Sequence, residues 1–140
     1  MVKVRTIPKP IKKKKSKRKN APNEAKALKE ILLRLWSINI YQQWNGICGA
    51  CGKAGNNAHH FFGKGAYPSV KYDLDNGVLL CFGCHIFKVH RKNQTEIARD
   101  ALINKIGDNR FNELKKRANS VRRYKLPDLL ALKAELSKLG

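Results

Sequence analysis

Asp75-Asn76-Gly77-Val78-Leu79-Leu80-Cys81-Phe82-Gly83-Cys84-His85 packs a turn, a strand, a metal-type knuckle and a helix start into one run. Asp-Asn-Gly is a turn signal, Gly77–Leu80 reads as a short strand, and the chain from Cys81 onward should enter a helix carrying Cys84, His85 and Lys88. A second Cys-x-x-Cys pair, Cys48 and Cys51, lies upstream. Two thiolates from each tight turn complete a tetrahedron, so Cys48, Cys51, Cys81 and Cys84 are expected to hold one structural zinc ion. Gly49, Gly52 and Gly83 suit such turns. The alternatives are redox pairs or free thiols. A thioredoxin-like pair needs one motif at a helix start in a βαβ unit, whereas this chain has two pairs and no such unit. A closed four-thiolate site leaves no position open for chemistry, so it assigns no activity by itself.

Outward from the knuckles, the chain is small and strongly basic. It has 140 residues and a net charge of +20, with thirty Lys and Arg against ten Asp and Glu. A core of that size is thin, and a structural metal is the usual remedy. The charge points to a polyanion, by default a nucleic acid. No long apolar run or basic amphipathic helix with aromatic anchors supports a membrane partner. The Met1 end lacks an apolar h-region, so no secretory signal is expected, and paired cysteines suit metal ligands in a reducing cytoplasm.

Four segments are expected. Residues 1–22 form a disordered basic arm containing Lys12, Lys13, Lys14, Lys15, Lys17, Arg18 and Lys19; it is a nucleic-acid arm or a plain solvated tail. Residues 23–45 form a helix capped by Asn23, with Leu28, Ile31, Leu32, Leu35 and Ile38 on one apolar stripe. Its aromatics Trp36, Tyr41 and Trp44 anchor it to the core, although stacking on bases is the competing use. Residues 46–93 hold the knuckles and two strands, Asn57–Phe61 and Gly77–Leu80, joined by a long loop. Residues 94–140 add helices: one capped by Thr95 and ended by Gly107-Asp108, one from Arg110 to about Ser120, and a last one opened by Leu126-Pro127-Asp128. Leu129, Leu132, Leu136 and Leu139 share one face of that last helix, to pack on the core or on a second subunit.

Between the knuckles stand His59 and His60; His85 and His90 follow the second. Adjacent residues on a strand point to opposite faces, which defeats a joint metal site for His59 and His60 unless the strand ends or bulges there. His90 follows His85 by five residues, not the four that align side chains on an α-helix. It is a second ligand if the helix distorts, or else a phosphate contact. The blander reading places the histidines on a binding surface.

The run His59-His60-Phe61-Phe62-Gly63, followed by Asp73 through His85, resembles the HNH endonucleases, and more narrowly the zinc-containing phage HNH proteins that include the NinG-like recombination proteins. The resemblance is specific from Cys48 to Asn93. It is weaker around Lys105-Ile106-Gly107 and from Arg122-Arg123-Tyr124 to Leu136, and it does not extend to the basic arm. It implies an α+β fold: a small ββα-metal finger with a four-cysteine zinc site, flanked by helices. It also implies hydrolysis of DNA phosphodiester bonds with a divalent metal, Mg2+ or Mn2+, usually leaving a 5′-phosphate, and for NinG-like members action on branched recombination intermediates. Within that pattern His60 is the base that activates water, because imidazole titrates near neutrality. His59 and His85 hold the catalytic metal, with His90 as the open case, and Asn76 fixes loop and base by hydrogen bonds. A phage origin would place the protein in the bacterial host cytoplasm.

Lys64, Lys71, Lys88, Arg91 and Lys92 surround the proposed site and would meet phosphates, which position a duplex without reading its sequence. No helix carries the convergent Asn, Gln and Arg of major-groove readout, so specificity for shape, such as a branch or junction, is expected. Junction resolution favours two active sites, hence a homodimer. The competing function is a non-catalytic zinc-ribbon nucleic-acid binder, which would also be small, basic and four-cysteine. The histidine and asparagine order separates the two.

Overall fold

Helix α1 (Ala21–Gln43) opens the structure, a computed structural model that describes residues 21–139. The lysines and arginine of the arm, residues 12–19, lie outside the described residues, and the last two positions of that expected segment already belong to α1. Position 23 therefore falls inside the first turn of the helix and not at its cap. The buried face of α1 is Leu28, Leu32, Trp36 and Ile40, joined by Asn39. This corrects the expected stripe, since Ile31 and Ile38 are 38% and 43% exposed. Apolar residues crowd α1 so densely that two overlapping stripes satisfy the same three-and-four spacing. Packing partners chose the one carrying the tryptophan.

Those partners are a two-stranded antiparallel sheet and the last helix. Strands β1 (Asn57–His60) and β2 (Gly77–Leu80) pair in the register Asn57↔Leu80, Ala58↔Leu79, His59↔Val78 and His60↔Gly77. Strand β1 thus ends one residue before the expected Phe61. All four residues of β2 are buried, which explains a continuous apolar run where a half-exposed strand would alternate. A Cβ on Gly77 would lie 2.2 Å from Ile40 Cδ1 and 3.0 Å from Trp36 Cζ2. Its φ of −119° is ordinary, so this glycine is needed for close approach to α1 and not for backbone freedom.

The loop between the strands contains two 3₁₀ turns, Pro68–Val70 and Leu74–Asn76, and the second is capped by Asp73, whose side chain accepts from the Asp75 N–H at 3.0 Å. After the second knuckle the chain forms a π-helix, Cys84–Arg91. Helix α2 (Thr95–Ile106) follows, with Ala98, Ala101, Leu102 and Ile106 buried. Thr95 is its first residue; Gln94 holds the cap position without a side-chain bond, so the expected Thr95 cap does not form. Gly107, at φ 85°, turns the chain directly into α3 (Asp108–Ala118), two residues before the expected start. Helix α4 (Leu126–Leu139) lies along α1, with Leu129 and Leu136 buried, Leu132 partly so and Leu139 exposed. The Asn39 side chain ties the pair by donating to the Leu136 carbonyl at 3.0 Å. Three of the row, Leu129, Leu132 and Leu136, therefore pack on the core, and Leu139 does not. No described helix is long and apolar enough to cross a membrane.

Candidate metal centres

Cys48, Cys51, Cys81 and Cys84 bring their sulfur atoms within 4.8 Å of one another. Backbone bonds shape both knuckles: in the first, Gly52 N–H donates to the Cys48 carbonyl at 3.0 Å and Cys48 N–H to the Lys53 carbonyl at 2.7 Å; in the second, His85 N–H donates to the Cys81 carbonyl at 2.9 Å. Gly49 N–H donates to the Leu79 carbonyl at 2.8 Å, which fastens the first knuckle to β2. In a tetrahedral zinc site, sulfurs at about 2.3 Å from the ion stand about 3.8 Å apart. The Cys51 and Cys81 sulfurs are 3.6 Å apart, so the set is close to that size. The Cys84 N–H points at the Cys81 sulfur at 3.4 Å and, as the largest cause, helps bring the Cys81 thiol down to about 7. Burial pushes the Cys84 thiol up to about 12. Four thiols at this range cannot all ionise without a cation among them, and a zinc ion fits what they offer.

The second cluster is made of imidazoles. His59 on β1 and His85 and His90 on the π-helix place one ring nitrogen each within 4.8 Å of the others. The π-helix makes this possible. Its hydrogen bonds span five residues, as in Lys92 N–H to the Phe87 carbonyl at 3.1 Å, so positions 85 and 90 fall on the same face. Their Nε2 atoms are 3.0 Å apart. Two nitrogens about 2.1 Å from one ion and at right angles to each other stand about 3.0 Å apart. His85 Nδ1 is buried and has no hydrogen-bond partner among the described residues. Burial, then the charges of His85, His90 and His60, lowers the His59 pKa to about 4. Burial also lowers His85, with His90 adding to it. Imidazole nitrogens converging on one point are what a divalent cation requires, and the donors fit one.

His60 faces the other way. Its ring stacks on Trp36 with centroids 3.7 Å apart and planes 8° from parallel. Its Nε2 meets the Lys71 carbonyl at 2.9 Å. A carbonyl only accepts, so Nε2 carries the proton and Nδ1 presents a lone pair. Burial is the main cause that lowers its pKa below the ordinary value, so the ring is neutral at pH 7.

Asn76 is fully buried. Its Oδ1 accepts from Phe62 N–H at 2.8 Å, and its Nδ2 donates to the Phe62 and Val70 carbonyls at 3.0 and 3.1 Å. The amide thus clamps both ends of the loop beside His60, and it reaches the base only through the backbone next to Lys71. From outside, Arg117 Nε donates to Asp73 at 2.7 Å and Arg110 pairs with Asp75, fastening the loop to α3. Trp36 Nε1 donates to the Asp73 carbonyl at 2.9 Å. Of the expected phosphate contacts, Lys64, Lys88, Arg91 and Lys92 are exposed and Lys71 is half-buried. Sequence reasoning missed the Lys71 carbonyl, because a backbone acceptor has no side-chain signature. It also missed Arg110 and Arg117, whose relevant partners lie far away in the chain.

A four-cysteine cluster and a three-histidine cluster, packed around one small sheet, make two groups that could each hold a metal ion. The family described as Bacteriophage Lambda NinG protein matches residues 3–139, nearly the whole length, and the chain belongs to that family. The match runs through both flanking regions, so the likeness is wider than the Cys48–Asn93 stretch and includes most of the basic arm. No curated protein and no solved structure matches the chain.

Proposed function

We propose that this protein is a metal-dependent DNA endonuclease of the HNH class, built on a ββα-metal finger, with the thiolate cluster holding structural zinc. The observation that carries the reading is the convergence of His59, His85 and His90 beside a strand whose next residue, His60, is neutral and tautomer-fixed. A Mg2+ or Mn2+ ion held by the three imidazoles would supply positive charge to the scissile phosphate and the leaving oxygen. His60 Nδ1 takes the proton from the attacking water, and the Lys71 carbonyl stabilises the imidazolium that results. Trp36 holds the ring in plane while that charge develops. Asn76 is a positioning residue, keeping the loop that carries Lys71 at the right distance from β1. Lys64, Lys88, Arg91 and Lys92 meet phosphates and position the strand. Membership of the NinG family supports branched recombination intermediates in a phage-infected cell as the substrate, and resolving a junction would call for two active sites, hence a homodimer.

Plasmid nicking with and without added magnesium or manganese tests this, run beside a panel of duplex, flap, fork and four-way junction DNA. Metal-dependent nicking by the wild type that is absent in His60→Ala is the expected result. Equal nicking by both, in protein free of host nucleases, would leave a zinc-ribbon nucleic-acid binder as the better account.

A further inference from the structure

A cleft of about 280 Å³ opens between α1 and the segment joining α3 to α4, and Lys29, Lys71, Arg122 and Arg123 all line it. Tyr72 and Tyr124 form much of its wall, and among the described residues none that lines it is acidic. Two of the cations, Arg122 and Lys71, lie against the aromatic wall in advance of any ligand. Arg122 lies over the Tyr124 ring at 4.8 Å, and the Tyr124 hydroxyl donates to the Ser69 carbonyl at 2.7 Å. Tyr124 meets Tyr72 edge to face at 5.3 Å, and Lys71 Nζ sits 5.5 Å from the Tyr72 ring. A stacked guanidinium on a fixed wall loses little freedom when it binds an anion. Burial, then repulsion from Lys29 and Lys64, lowers the Lys71 pKa. Such crowding of like charge is unfavourable until an anion enters. Asp73 and Asp75 do not relieve it, because Arg117 and Arg110 engage them.

We infer that this cleft seats a backbone phosphate of a DNA strand, at a contact separate from the phosphate at the imidazole cluster. Two adjacent arginines suit the fork geometry of a phosphate, and contacts of this kind fix register without reading bases. Lys71 joins the cleft to the base, since its side chain lines one and its carbonyl holds His60. A strand seated here is therefore placed at a set distance from His60. The inference rests on DNA as the partner but not on cleavage.

The test compares Arg122→Ala/Arg123→Ala with Lys133→Ala/Lys138→Ala, which removes two exposed charges from α4 outside the cleft. Binding to duplex and four-way junction DNA is measured across a salt series without added divalent metal. All four positions are exposed, and thermal midpoints verify that both variants fold. The arginine variant should lose about one unit of salt slope, since each neutralised phosphate contributes about −0.9, and the lysine variant should keep the wild-type slope. Single methylphosphonate substitutions in the DNA should reveal a position that weakens wild-type binding and no longer matters to the arginine variant. Equal slopes in the two variants, or a methylphosphonate pattern unchanged in the arginine variant, would overturn the inference. Binding of inorganic phosphate to the wild type but not the arginine variant, with DNA affinity equal in both, would make the cleft a small-anion pocket and also overturn it. A protein that binds through the cleft yet never nicks would sink the nuclease reading and leave this one standing.

Discussion

The thiolate cluster and the imidazole cluster lie one residue apart in sequence, at Cys84 and His85, and are built on opposite plans. Two cysteines come from a hairpin-like knuckle closed by its own backbone hydrogen bonds and two from a helix start, and Cys48 and Cys84 are buried. Four donors fill a tetrahedron. The imidazoles come from a strand and a widened helix, His90 is exposed, and three donors would leave positions open on an ion held there. Closure serves the fold and openness serves a ligand. The same helix start supplies donors to both.

The largest effect should come from breaking the closed cluster. Cys48→Ser or Cys81→Ser removes a ligand from a staple expected to contribute on the order of 10 kcal/mol in a small domain. The central region should lose its fold, by circular dichroism, together with zinc that otherwise survives dialysis. A folded, zinc-free Cys48→Ser protein would erase the distinction drawn above.

Asn76→Ala comes next. It strands the Phe62 N–H and the Phe62 and Val70 carbonyls in a buried place. Each orphaned group costs about 1–3 kcal/mol. Urea unfolding should show a clear drop in midpoint with zinc retained, and cleavage should fall between wild type and His60→Ala. A midpoint equal to wild type would mean that the loop is held some other way.

On the open side, the two faces of β1 should answer differently to metal. His60→Ala should keep zinc, fold and DNA affinity but lose cleavage by about 10²-fold or more, the range for a lost general base. His59→Ala and His85→Ala should recover in part as magnesium or manganese is raised, whereas no metal concentration should rescue His60→Ala. Kinetics over a metal series measure this, and rescue of His60→Ala would reverse the assignment of the two faces.

The smallest effect is one of pH. In protein without metal at the imidazoles, His59 titrates near about 4 when folded and near about 6.5 when unfolded. Between those values the unfolded chain binds a proton that the fold refuses. Stability should therefore fall as pH drops from about 6.5 toward 4, and this group should contribute no slope above that window. Urea midpoints at pH 7 and pH 5 should drop more for wild type than for His59→Gln. Equal drops would show that burial does not govern this imidazole.

The knuckles and β2 were legible in the sequence because spacing and turn chemistry act locally. The second histidine of the π-helix, His90, was legible only as one of two options, a ligand on a distorted helix or a phosphate contact. A five-residue step reads as misaligned on any regular α-helix, and the sequence shows no cause for widening it at Cys84–Arg91. The buried face of α1 was hidden for a different reason. Composition permits two faces, and only the approach of Gly77 to Ile40 and Trp36 selects between them. Opposite orientations for His59 and His60 did follow from strand geometry, yet the residues that make His60 useful, Trp36 and the Lys71 backbone, lie outside any motif.

The stacking of Trp36 on His60 has a consequence for cutting the protein into parts. A fragment trimmed to begin just before the first knuckle would retain all seven metal-binding side chains, and by motif it would look whole. It would lack the indole that forms one wall of the His60 site and donates to the Asp73 carbonyl. It would also expose β2, where Gly77 now nestles against Ile40. The portable unit is thus longer than the signature, and any graft of this finger onto another scaffold must carry α1 with it.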